Sequence, residues 1–131
     1  MIVYVESSAA VKLLFREAET DALATFLDDV AADPQASLVS STILETELRR
    51  AAVRAEAAQP SVTAILDRVD IVDLDRSVFT SAGTLPGGQL RSLDTLHIAA
   101  ALKVDADIMV SYDARQIAAA EAAGLRTRSP A

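Results

Sequence analysis

The sequence predicts an α/β sandwich, a mainly parallel sheet of about four to five strands with helices on both faces. Three observations predict it. Short runs rich in β-branched residues alternate with segments of helical spacing, the connections between those runs are too long for hairpins, and proline and glycine fall between the periodic segments. No internal repeat, low-complexity tract or linker interrupts the pattern, so residues 1–131 are expected to form a single domain.

The elements follow in order. Met1 to Val5 is a short apolar run that reads as a strand buried on both faces. Ser8 to Ala18 has helical spacing, with Val11, Leu14 and Phe15 on one side, and Thr20 to Ala32 carries Leu23, Phe26, Leu27 and Val30 as an apolar stripe. Ala36 to Val39 is a second strand. Ser40, Ser41 and Thr42 offer caps to a helix reaching about Ala58, with Thr42 and Glu45 at capping-box spacing. Pro60 opens a helix over Ser61 to Arg68, Ile71 to Leu74 is a third strand, and Asp75 caps a helix through Thr84. After the turn at Pro86-Gly87-Gly88, Ser92 is placed to cap a helix of Leu93 to Val104. Asp107 to Ser111 is a fourth strand, Asp113 caps a helix through Ala123, and Gly124 leads to a last short strand around Leu125 to Thr127.

Composition narrows the chemistry. Hydrophobic residues make up 51% of the chain but aromatic ones only 4%, so the core is built from Ala, Val, Leu and Ile. No apolar run reaches the ~18 residues that span a bilayer, and the first residues lack the flank and cleavage site of a signal peptide; a cytoplasmic protein with no membrane partner is expected. The chain has no cysteine and a single histidine, which leaves oxygen as the ligand of any bound metal. A net charge of −7 argues against non-specific nucleic-acid binding while leaving local positive patches open.

In parallel sheets ligands bind beyond the C-terminal strand ends. Acids stand there: Glu6 after the first strand, Glu47 in the helix after the second, Asp113 after the fourth, and Asp94 in the first turn of the preceding helix. Each has an ordinary reading. Asp113 can be an N-cap with Gln116 closing the box, and Asp94 favours a helix start by ~0.3 to 1 kcal/mol. Glu47 borders the apolar face of Leu44, Leu48 and Ala51, while Glu45 and Arg49 pair elsewhere, so Glu47 needs a partner. Glu6, at the end of a doubly buried strand, loses solvation unless donors or a cation meet it. Were the four to converge, each pair ~5 Å apart would repel by about 3 kcal/mol at an effective dielectric near 20. A hard cation such as Mg²⁺ or Mn²⁺ relieves that repulsion, activates water and polarises a phosphate, which points to metal-assisted phosphodiester hydrolysis.

The order MIVYVESSAAVKLL, SSTILETELRRA, LRSLDTLHIAAAL and ADIMVSYDARQ resembles the PIN-domain ribonucleases, specifically the toxin subunit of VapBC-type toxin–antitoxin pairs. The likeness runs through nearly the whole chain. Glu6-Ser7-Ser8 stands where that family has an acid in an Asp-Ser/Thr-Ser context. Glu47-Leu48-Arg49-Arg50-Ala51 matches its Glu-Leu-x-Arg-Ala element, Leu93 to Ala99 its Leu-Asp-x-Leu-His-x-Ala element, and Ser111-Tyr112-Asp113 its Thr/Ser-x-Asp segment. The resemblance implies that Glu6, Glu47, Asp94 and Asp113 are catalytic metal ligands of a Mg²⁺- or Mn²⁺-dependent endoribonuclease acting on structured RNA of the tRNA or rRNA type. It also implies a VapB-type antitoxin as partner and a homodimer. His97 has two readings, a general base or a support behind the acids, and Ser7, Ser8 and Ser111 can bond those acids or, for Ser7 and Ser8, cap the helix. Lys12, Arg16, Arg49, Arg50, Arg91 and Arg115 can contact RNA phosphates or the antitoxin's acids, or can be solvated surface.

One position departs from the family. Glu6 replaces aspartate and carries its carboxylate ~1.5 Å further out, against a tolerance of about 0.2 Å for metal ligands. A reduced-activity toxin is therefore expected. Two other classes stay open: a non-catalytic antitoxin-binding module, and a phospho-receiver, which would need a lysine at a strand end where Lys103 sits instead on a helix.

Overall fold

The computed structural model describes residues 1–131. Five strands, β1 (Ile2–Val5), β2 (Ser37–Ser41), β3 (Asp70–Val72), β4 (Ile108–Val110) and β5 (Arg126–Arg128), form one sheet in the order β3-β2-β1-β4-β5. Every pairing is parallel, with Val3 opposite Leu38 on one side and Ile108 on the other. The helices are α1 (Ser7–Leu14), α2 (Thr20–Ala32), α3 (Thr42–Ala55), α4 (Gln59–Leu66), α5 (Arg76–Thr84), α6 (Ser92–Lys103) and α7 (Ala114–Ala122). None is long and apolar enough to cross a membrane.

Strand alternation divides the core. Val3 and Val5 point to one face and pack with Leu38, Val110 and the apolar stripes of α1 to α4; Tyr4 points to the other and packs with Met109 and residues of α5, α6 and α7. A run of alanines, Ala99 to Ala101, lets α6 lie buried against the sheet. Gly124, at φ 95°, ends α7 in the left-handed conformation that turns the chain into β5. Because β2 and β4 leave β1 on opposite sides, the crevice between the C-terminal ends of β1 and β4 is the switch point of the sheet.

Several boundaries differ from expectation for local reasons. The first helix ends at Leu14, not Ala18, because the Thr20 hydroxyl donates to the Lys12 carbonyl at 2.8 Å and takes over a helix-end acceptor. The cap of α1 is Glu6, not Ser7 or Ser8: its carboxylate accepts the Ser8 N–H at 3.1 Å. The expected Thr42–Glu45 box is absent; Ser41 holds the cap position of α3 and Glu45 bonds Arg49 at 2.9 Å instead. The last strand starts one residue later than expected, and Arg91 rather than Ser92 is the N-cap of α6.

Candidate active site

Glu6 is 5% exposed and sits where β1 passes into α1. Its Oε2 accepts the Ser8 N–H at 3.1 Å, the Ser8 hydroxyl at 2.5 Å and the Ser111 hydroxyl at 2.9 Å. Those hydroxyls are themselves anchored, since Ser8 Oγ accepts the Tyr112 N–H at 2.8 Å and Ser111 Oγ the Asp113 N–H at 3.2 Å. Glu6 thus ties the end of β1 to the end of β4, and the desolvation cost of a buried carboxylate is offset by three donors.

Glu47 reaches the same crevice from α3. Its Oε1 lies 2.6 Å from His97 Nε2 and accepts the Ser7 hydroxyl at 2.6 Å. Behind it, His97 Nδ1 lies 2.8 Å from the Tyr4 hydroxyl, which also bonds the Ser41 hydroxyl at 3.0 Å. Nε2–H donates to the carboxylate, and the ring is fixed between Glu47 and the Tyr4 hydroxyl. Burial acts to raise the Glu47 carboxyl, but the His97 and Ser7 hydrogen bonds outweigh it and hold the group below the usual carboxylate range. Burial likewise pushes the Tyr4 hydroxyl well up, so it stays protonated and can donate.

Asp94 and Asp113 complete the set. Asp94, in the first turn of α6, accepts the Arg91 N–H at 3.4 Å, and Asp113 caps α7 through the N–H groups of Arg115 at 2.9 Å and Gln116 at 3.3 Å. All four acids line one open groove of about 480 Å³. No three acids, with or without His97, stand close enough to hold an ion alone, because Glu6, Glu47 and Asp113 are each drawn onto donors of their own chain. The donor set nevertheless fits a hard cation of the magnesium type, which takes one or two carboxylates and completes its shell with water and substrate phosphate.

Of the six expected cationic contacts, only Lys12 lines the groove. Its ammonium is held by Glu19 at 2.9 Å and Glu17 at 3.5 Å and lies over the Tyr112 ring. Arg16 pairs with Asp21 on the surface, Arg49 is bound by Glu45 and Gln59, and Arg50, Arg91 and Arg115 lie outside the groove. Two residues escaped the sequence reading: Arg54 lines the groove, and Tyr4 backs His97. Gln116, expected to close a box with Asp113, is fully buried and sends its side-chain amide to the Asp94 backbone carbonyl at 3.2 Å instead, while its backbone N–H bonds Asp113. Spacing could have revealed Arg54, two turns from Glu47. An aromatic hydroxyl in a doubly buried strand signals a need for a partner.

The Gln116 Oε1 has no hydrogen-bond partner. An unpartnered buried carbonyl costs about 1–3 kcal/mol, comparable to or above the ~1 kcal/mol of the bond that the amide makes. Gln116→Met is therefore expected to melt at or above the wild-type temperature; a fall of several degrees in circular dichroism melting would show that Oε1 is satisfied.

A parallel sheet with four carboxylates lining a groove at its switch point defines a class, the acidic-groove α/β proteins. The comparisons specify it further. The PIN domain model matches residues 3–122, and the chain belongs to the PIN-domain family. Ribonuclease VapC35 of Mycobacterium tuberculosis is 37% identical across 98% of this chain and 97% of that protein, and Ribonuclease VapC46 of the same organism is 34% identical over the same shares. Within the family the chain is of the VapC type. Among solved structures, VapBC2 from Rickettsia felis bound to a promoter DNA fragment superposes with a TM-score of 0.79 at 18% identity, covering 98% of both chains. Mycobacterium tuberculosis VapC20, described as a sarcin-ricin-loop-cleaving toxin, superposes at 0.73 with 14% identity, covering 98% of this chain and 99% of that one.

Proposed function

We propose that this chain is the toxin of a VapBC-type pair, a divalent-metal-dependent endoribonuclease that cleaves structured RNA, is silenced by a VapB-type antitoxin, and works in the cytoplasm as a homodimer. The observation that carries this is the delivery of four carboxylates, from β1, α3, α6 and the end of β4, into one groove at the switch point. Relatives that match nearly end to end are named ribonucleases, and structural neighbours include toxin–antitoxin complexes.

Asp94, Asp113, Glu6 and Glu47 would hold Mg²⁺ or Mn²⁺, which supplies charge neutralisation at the scissile phosphate and activation of water. The chain's own residues prepare that site. Glu47 is kept ionised by His97 and Ser7, so its charge is in place at neutral pH. Ser8 and Ser111 fix Glu6, and Gln116 holds the start of α6 against the start of α7, so Asp94 and Asp113 keep their spacing. His97 is a positioning residue in this scheme and not the general base: it is 1% exposed, and both ring nitrogens already have partners.

Glu6 attenuates the activity. Its Oε2 carries all three hydrogen bonds found on the carboxylate, which curls it back onto the helix end. Asp94→Asn is expected to lower Mn²⁺-dependent cleavage of a structured RNA at least ~10²-fold with melting temperature preserved. Undiminished cleavage, or cleavage indifferent to chelation, would remove the metal-dependent reading, and no cleavage even by Glu6→Asp would favour the antitoxin-binding module.

A further inference from the structure

We propose that Arg54 is a substrate-binding residue that holds an RNA phosphate beside the one that is cut; this rests on the ribonuclease reading above. Glu47, Ala51 and Arg54 all line the groove from α3, and their spacing of four and three residues puts them on one stripe of that helix. Seven residues at 1.5 Å each set Arg54 about 10 Å along the helix from Glu47. Ala51 between them presents only a methyl group, which keeps that wall of the groove low enough for a strand to cross.

Charge then singles out Arg54. Five acids line the groove, the four at the switch point and Glu17, and two cations face them. A polyanion entering such a groove needs a fixed positive charge close to the reacting phosphate. Lys12 is committed to Glu17, Glu19 and the Tyr112 ring, with its side chain 12% exposed. Arg54 is exposed and makes no ion pair, although Arg49 on the same helix is bound to Glu45. Its guanidinium offers the planar fork that matches two oxygens of one phosphate, and that fork is uncommitted only here within the groove. Phosphate contact carries no sequence information, so the residue sets affinity and register and not the choice of RNA.

The test uses the full chain and a structured RNA. Arg54→Gln is expected to raise KM about tenfold with kcat held, and to lower the slope of log affinity against log salt by ~0.7 to 1. Arg54→Lys should recover part of the slope, and Mn²⁺ binding by calorimetry should stay at the wild-type value, which a folding defect would not allow. An unchanged KM and salt slope overturns the proposal, as does an Arg54→Gln effect confined to binding of an acidic protein partner. Arg54-dependent RNA binding without Mn²⁺-dependent cleavage would leave this contact standing and remove the ribonuclease reading. Cleavage with an Arg54-independent slope would do the reverse, and a wild-type chain that neither binds nor cuts RNA overturns both.

Discussion

Glu6→Asp is expected to raise Mn²⁺-dependent RNA cleavage by about 10²-fold. The residue is buried at the junction of β1 and α1, where it serves both as the N-cap of α1 and as one wall of the groove. Aspartate is among the best N-caps, because its shorter side chain reaches the N–H groups of the first turn without curling; glutamate must fold back to do so, and here it does, onto Ser8 and Ser111. Removing one methylene moves the carboxylate by ~1.5 Å, and a misplacement near 1 Å costs on the order of 10²-fold in rate. The cap survives the change, so the melting temperature should stay close to wild type while the rate climbs. Equal rates for the two proteins under saturating Mn²⁺ would show that Glu6 reaches the productive position by side-chain rotation, and the attenuation reading would fall.

How much of this site was legible before the fold is clearest from Glu6 itself. Its position was readable, because a carboxylate ending an apolar β-branched run stands at a strand end, and in a parallel sheet strand ends line the crevice. Its role as a cap was not. Serines are ordinary caps and glutamate is not, so Ser7 and Ser8 read either as caps or as donors to the acids, and the structure gives the cap to Glu6. Of their two expected roles the serines take the second, Ser7 bonding Glu47 and Ser8 bonding Glu6. That exchange depends on β4 bringing Ser111 and Tyr112 alongside, across more than 100 residues of chain, and no local pattern reports it.

The cations divide the same way. Local partners were visible in the sequence for Arg49, four residues from Glu45, and Arg16 lies near Asp21. Both are bound to those neighbours and neither lines the groove. Arg54 stands two turns from Glu47, a spacing present in the sequence, but only the fold shows that the groove extends along that stripe of α3 as far as Arg54. The distance between acids was equally hidden: four carboxylates in one groove follow from topology, but their failure to form a closed ligand set follows from the donors each one meets.

His97→Ala is expected to destabilise the fold by about 2–4 kcal/mol at neutral pH, with a strong dependence on pH. The ring bonds Glu47 on one side and Tyr4 on the other, so its removal leaves a protonated phenol and a carboxylate without their partner. Breaking a buried pair costs ~3–5 kcal/mol, reduced here because the Glu47 side chain is 25% exposed and water can reach it. Tyr4→Phe removes the hydroxyl's bonds to His97 and Ser41 and should cost ~1–3 kcal/mol. The double variant should lose less than the sum, because both changes break one chain of contacts. The pH dependence follows from Glu47, whose folded carboxyl titrates below the ordinary value because the His97 and Ser7 bonds outweigh burial. A depressed folded value stabilises the protein fully above the unfolded value, near pH ~4.3, and the contribution is lost as pH falls through the folded value. In His97→Ala burial acts on Glu47 with less opposition, so protonating that carboxyl relieves the variant while it penalises the wild type. The two stabilities, measured by urea unfolding from pH 7 down through the carboxylate range, should therefore converge as the pH falls. A gap of equal size at both ends of that range would mean that His97 supports the fold by filling space and not by holding Glu47 charged.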